Sequence, residues 1–279
     1  MFEFGTKTYI MGILNITPDS FSGDGVWGDE GLETAVSQAK QFVADGADIL
    51  DIGGQSTRPG SEMVSIEEEA RRVLPIIRAV REAVEVPISI DTYWSDVAEQ
   101  ALEAGANWIN DVWGAQMDQR IVQVAANFQS PIVLMHNRSK PKSVIQEERL
   151  GNAYVGANYD DLIEDIKREL QTSIDIALGA GVKECHIILD PGVGFGKTRE
   201  HNIQIVNELN KLKSLGFPIL LGTSRKSFIG YTLNLPPNER MEGTAATVAI
   251  GIDRGADIVR VHDVKPIVRL ARMTDAIVR

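Results

Sequence analysis

Polar groups able to hold a ligand or a metal recur just past short apolar runs along this chain. In order they are Asn15; Asp51 with Thr57 and Arg58; Asp91; Asn110 and Asp111; His136 and Asn137; Asp190; Ser224, Arg225 and Lys226; and Arg260 with His262. Ordinary loop polarity accounts for the serine, threonine and asparagine among them. It accounts less well for four carboxylates, several Arg and Lys, and repeated glycines at equivalent points. The chain has 28 basic and 39 acidic residues, a net charge of −11. An anionic ligand would need cations gathered locally, or a metal, to overcome that field. Nucleic acid is disfavoured as a partner for the same reason.

Several apparent motifs carry no chemistry of their own. "GFGKT", from Gly194, looks like the end of a phosphate loop, but Pro191 stands where that pattern needs its first glycine. "GVGFG" places its third glycine one residue too early for a dinucleotide fingerprint. His136, His186, His201 and His262 lack zinc spacing, and no Ser-His-Asp set follows from order alone. His186, at a strand start, reads as structural and the lone Cys185 as a packing residue.

The elements that must position the polar groups show a repeat. "GADILDIGG" from Gly46, "GANWINDVWG" from Gly105 and "GADIVRVHDV" from Gly255 each run from a helix-closing glycine into an apolar strand. Five residues after each glycine stands a polar residue: Asp51, Asn110 and Arg260. Apolar runs predict eight strands: Tyr9–Leu14, Ile49–Ile52, Ile88–Ile90, Trp108–Ile109, Ile132–Met135, Ile187–Leu189, Ile219–Leu221 and Ile258–Val261. Helical periodicity lies between them, as at Leu32, Ala35, Val36, Ala39, Phe42 and Val43. "SIEE" at Ser65–Glu68 predicts a capping box, and Pro75 predicts a kink, or opened first turns, in the helix that follows. Alternation over almost the whole chain fits an α/β (β/α)₈ TIM barrel, one domain over residues 1–279, ahead of a doubly wound open sheet. No signal peptide or membrane-spanning run is evident, and a single cysteine rules out an internal disulfide, so cytoplasm is the expected location.

"MGILNITPDSFS", "DIGGQSTRPG", "LDPGVGFGKT", "GTSRKSFIG" and "VRVHDV" closely resemble the dihydropteroate synthase family, with motifs in register at five strand ends. Gln55 departs from the family's usual Glu, and "FSGDG" from its usual glycine order. The resemblance implies a transferase of folate biosynthesis, usually a homodimer. It would join 6-hydroxymethyl-7,8-dihydropterin diphosphate to p-aminobenzoate, giving 7,8-dihydropteroate and diphosphate. A pterin-dependent methyltransferase and a non-catalytic pterin-binding paralogue are the alternatives. Both fit poorly with an intact set of diphosphate-binding residues.

By that resemblance Asp190 complements the guanidine-like edge of the pterin with charge-assisted bonds. Asp91 and Asn110 meet its other edge, Lys226 donates to the O4/N5 side, and Met135 and Phe195 pack on the ring. Asn15 resembles the single side-chain ligand of a Mg²⁺ ion that also binds the diphosphate. Arg260 and His262 look like diphosphate contacts. Thr57, Arg58 and Ser227 belong to the second substrate's region, Ser227 opening a helix whose N–H groups suit a carboxylate. Lys226, Arg260 and Asp91 are the expected catalytic residues. Gly53, Gly54 and Gly60 are expected to let the Gly53–Gly60 loop fold over bound ligand as a lid.

Overall fold

The computed structural model describes residues 2–16, 29–56, 59–140 and 142–279. All eight apolar runs form parallel strands: β1 (Tyr9–Asn15), β2 (Ile49–Gly53), β3 (Ile88–Asp91), β4 (Trp108–Asp111), β5 (Ile132–Met135), β8 (Ile187–Asp190), β9 (Leu220–Leu221) and β10 (Ile258–Val261). A short antiparallel hairpin that the sequence did not suggest, β6 (Val144–Ile145) with β7 (Ala153–Tyr154), lies between β5 and β8. The sheet order is β8-β5-β4-β3-β2-β1-β10-β9. Its two outer strands meet through a parallel Leu189–Ile219 bridge, where Leu189 N–H donates to Pro218 O at 2.9 Å, so the sheet closes. Nine α-helices among the described residues surround it: α1 (Asp29–Ala44), α2 (Ile66–Ala83), α3 (Ser95–Glu103), α4 (Arg120–Phe128), α5 (Leu162–Gly179), α6 (Arg199–Asn207), α7 (Ser227–Leu233), α8 (Met241–Asp253) and α9 (Val264–Val278).

The period-two alternation of a strand sorts its residues between two cores. Ile10, Leu50, Ile52, Ile90, Ile109, Leu134, Leu189 and Val259 join the large core shared with the helices. Tyr9, Met11, Ile49, Trp108, Val133, Ile188, Leu220 and Ile258 form a separate cluster inside the barrel, with Phe2 and Phe4 packed against it. Two residues beyond these plugs come Asp51, Asn110, Met135, Asp190 and Arg260. The inward face thus turns from apolar to polar within one strand period, which seals one end of the barrel and leaves chemistry at the other.

The repeat glycines have left-handed φ, +102° at Gly46, +115° at Gly105 and +96° at Gly255, as helix-closing positions require. The third residue of each repeat does something the sequence did not reveal. Asp48 accepts from Ile10 N–H at 2.9 Å, Asn107 from Ile88 N–H at 3.0 Å and Asp257 from Ile219 N–H at 2.9 Å. Each ties the start of its own strand to the neighbouring one.

Half of the expected capping box forms. Ser65 accepts from Glu68 N–H at 3.2 Å, but the Glu68 carboxylate pairs with Arg71 and Arg72. The helix α2 runs through Pro75 without a break. Cys185 is exposed, in the 3₁₀ turn Glu184–His186 before β8, and is not a packing residue: that turn stands outside both cores.

Candidate active site

At the polar end of the barrel the repeat converges on one carboxylate. Asp51, fully buried, accepts at Oδ2 from Arg260 Nε at 2.6 Å and from Asn110 Nδ2 at 3.1 Å. The residues five places after each repeat glycine therefore touch one another. A second nitrogen of Arg260, Nη2, donates to Asp91 Oδ2 at 2.6 Å, so one guanidinium bridges two carboxylates. Sequence reasoning placed Asp51 at a strand end and gave it no role. Its position in the repeat was the available signal.

Asp190 stands across the barrel mouth, its Oδ1 held by Gly192 N–H at 2.7 Å. A Cβ added to Gly222 would lie 3.9 Å from both Asp190 Oδ2 and Arg260 Cβ, so this glycine leaves open the space between them. Lys226 places its ammonium 4.2 Å from the centre of the Phe195 ring. Phe195 and Met135 cluster with Tyr93 and Val112 as an apolar wall beside the carboxylates. Ser227 opens α7, where no side chain caps the first turn. Asn15 ends β1 beside Gly53 of β2. His262 shares a 3.0 Å contact between its Nδ1 and Ser224 Oγ. Thr57 and Arg58 lie outside the described residues.

Burial sets the electrostatics. It pushes the pKa of Asp91 up to about 7, reinforced by Asp51 and opposed by Arg260. It likewise pushes Asp190 up to about 6 against the Gly192 N–H bond. Lys226 is pushed down to about 8 by burial and then by Arg260, while Asp190 and Asp91 favour its charge. For Arg260 burial opposes the charge, but Asp51 and Asp91 outweigh it and hold the group firmly ionised.

Other strand-end polar groups are structural. Asp111 points away from this mouth and accepts from the N–H groups of Trp113 at 2.8 Å and Ala115 at 2.6 Å. Asn137 ties Val112 O and Ser139, and Arg225 pairs with Asp263. Two buried groups had no sequence signal at all. Arg240, the largest fully buried side chain among the described residues, donates to Arg225 O at 2.9 Å and to the carbonyls of Leu235 and Leu150, bracing the turn that presents Lys226. Glu69 of α2 packs under Gly54 with 1% of its surface exposed. Flexibility does not explain Gly53 and Gly54. A Cβ there would meet Asp91 Cβ at 3.2 Å and Val73 Cγ1 at 2.7 Å, so both glycines serve close packing. Of these three loop glycines, Gly60, with φ +86°, is the one that uses glycine's conformational range.

Residues 11–262 match the model of the pterin binding enzyme family. A dihydropteroate synthase of Clostridium beijerinckii is 54% identical over 279 residues, covering 100% of this chain and 97% of that protein. The chain belongs to the dihydropteroate synthase family. The family's Bacillus subtilis enzyme is 51% identical over 98% of this chain and 90% of its own length. A Clostridium difficile dihydropteroate synthase crystallised with pteroic acid superposes with a TM-score of 0.91 at 50% identity, each chain covered in full. A Yersinia pestis dihydropteroate synthase in complex with a sulfonamide drug gives 0.86 at 39% identity, covering 97% of this chain and 94% of that one. The barrel is thus that of a folate-synthesis transferase, and the expected architecture is borne out. No helix among the described residues is long and apolar enough to cross a membrane.

Proposed function

We propose that this dihydropteroate synthase joins 6-hydroxymethyl-7,8-dihydropterin diphosphate to p-aminobenzoate at the barrel mouth, with the following division of labour. Asp190 takes the guanidine-like edge of the pterin through its outward oxygen, Oδ2, while Gly192 N–H fixes the other. Asn110 and Asp91 meet the opposite edge, Lys226 donates to the O4/N5 side, and Met135 and Phe195 supply apolar contact. The observation that carries this reading is the open space at Gly222 between Asp190 and Arg260, bordered by Lys226.

Carbon–oxygen cleavage sends its electron pair to the departing diphosphate, and Arg260 and His262 meet that charge. The methylene left on the pterin is cationic, and the neighbouring Asp91 and Asp190 carboxylates favour it. The neutral amine of p-aminobenzoate adds through its lone pair and releases a proton to water or diphosphate. Lys226 and Phe195 flank its ring, with its carboxylate near Ser227. Thr57 and Arg58 complete this second site.

No group of three or more His, Cys, Asp or Glu side chains suited to a metal occurs among the described residues. The donors present fit a Mg²⁺ ion held by Asn15 and by phosphate and water oxygens, because magnesium retains waters and needs few protein ligands. When bound, it supplies positive charge to the leaving group.

A homodimer is supported by exposed Ile203, Leu233 and Ile250 on α6, α7 and α8, and sedimentation equilibrium tests it. The lone cysteine, which leaves no internal disulfide, supports a cytoplasmic setting. The deciding assay combines protein, magnesium and both substrates. Release of diphosphate with formation of 7,8-dihydropteroate is expected, and activity should vanish after exhaustive chelation. Absence of product from folded protein would refute the assignment. Full activity without divalent metal would refute the magnesium role.

A further inference from the structure

The Gly-rich stretch after β8 ends in a lysine that no phosphate-loop pattern explained. Lys197 is buried, and its Nζ contacts His136 Nδ1 at 2.9 Å, Gly192 O at 2.9 Å, Phe195 O at 3.0 Å and His136 O at 3.4 Å. No carboxylate lies within salt-bridge distance of it among the described residues; backbone carbonyls and an imidazole hold the ammonium. Such a group is costly to bury unless its donors are satisfied.

The loop is built around that ammonium. A Cβ on Gly192 would fall 1.8 Å from His136 O and 3.2 Å from Lys197 Nζ, and one on Gly196 would fall 2.5 Å from the carbonyl carbon of Arg138. Both glycines have left-handed φ, +68° and +64°. The wrap therefore excludes other side chains on two counts.

The same loop carries two proposed substrate contacts. Gly192, whose carbonyl accepts from Lys197, uses its N–H to hold Asp190 Oδ1 at 2.7 Å. Phe195, whose carbonyl also accepts from Lys197, presents its ring to Lys226. On the far side, His136 Nε2 lies 2.9 Å from Glu169 Oε2. Burial pushes the His136 pKa down to about 4, so the ring is neutral at pH 7. A neutral ring accepting from Lys197 at Nδ1 carries its proton on Nε2 and donates it to Glu169. Glu169 is anchored in turn by Arg138, which also pairs with Asp165.

We propose that Lys197 is a positioning residue for the reaction: clamped on the Gly192 and Phe195 carbonyls and oriented by His136, it fixes the Asp190 carboxylate and the Phe195 ring without touching substrate. The proposal rests on the reading of Asp190 and Phe195 as substrate contacts. Burial lowers the lysine's pKa to about 7 and the Asp190 charge, acting through space without contact, opposes that fall.

Lys197→Met keeps an unbranched side chain, one heavy atom shorter, and removes every donor. In folded protein, checked by circular dichroism and thermal melting, it should weaken pterin diphosphate binding at least about tenfold. It should also raise KM for p-aminobenzoate by a similar factor, per folded molecule. Lys197→Gln retains N–H donors and should recover at least about threefold of each loss. It also serves alone if the methionine variant does not fold, with values intermediate between wild type and loss. A purely structural role predicts a lower melting temperature with affinity and KM unchanged, and that result overturns the proposal. Asp190→Asn measured alongside separates the two readings. If it leaves pterin affinity unchanged, the site assignment has failed. If it weakens binding while folded Lys197 variants bind as wild type, only the positioning role has failed.

Discussion

Replacing Asp51 with asparagine tests the centre of the site. The wild-type Oδ2 accepts from the charged Arg260 guanidinium at 2.6 Å and from the uncharged Asn110 amide at 3.1 Å. Asp51→Asn can offer its carbonyl to Arg260 only by turning its amide toward the place of Oδ1. That oxygen is buried without a partner, so the amide donor would find no acceptor there. Exchanging a charged for a neutral acceptor removes about 1 to 1.5 kcal/mol, and a buried unsatisfied donor adds about 1 to 3 kcal/mol. If the transition state feels most of this through a misplaced Arg260, kcat/KM falls roughly thirty- to a thousandfold. The pH profile supplies a second, independent reading. Asp51 is one of the charges that raise Asp91, so its removal should shift an Asp91-governed limb to lower pH. Steady-state kinetics from pH 5 to 9, with circular dichroism to confirm folding, measures both (range set to bracket about 7). A folded variant within about threefold of wild type, with an unmoved profile, would refute the view that Asp51 aims Arg260.

Asp190→Asn puts an amide where the pterin edge expects an acceptor. Calorimetry should show pterin diphosphate affinity reduced by about 1.5 to 3 kcal/mol, and unchanged affinity would remove Asp190 from the pocket. Glu69→Gln addresses stability. Burial raises the Glu69 pKa from 4.5 to about 7, so the folded state binds its proton more tightly than the unfolded state and loses stability as pH rises across that window. The neutral variant escapes the loss. It should be more stable than wild type by up to about 3 kcal/mol above pH 8, with the advantage vanishing near pH 4, as read by urea denaturation at several pH values. An advantage independent of pH would show that Glu69 is not the titrating group.

Local pattern determined the eight strands, because each is a short apolar run closed by turn chemistry that needs no distant partner to be recognised. The glycines at 46, 105 and 255 likewise announced helix ends, since a left-handed φ is a property of the residue itself. Recurrence also marked Asp51, Asn110 and Arg260 as equivalent. What it could not contain was that they touch: Arg260 and Asp51 are separated by 209 residues. Only the pairing of β2 and β10 on either side of β1, with both side chains turned into the barrel, brings them within 2.6 Å. The same limit applied to Asp111 and His136, polar strand-end residues like the rest. One-residue alternation turned them away from the mouth, and strand register decides that face. The hairpin β6–β7 escaped because strands of two residues carry no periodicity. Lys197 and Arg240 were hidden for a deeper reason. Their partners are main-chain carbonyls, which every residue possesses, so no choice of side chain along the sequence marks where a buried cation will find them.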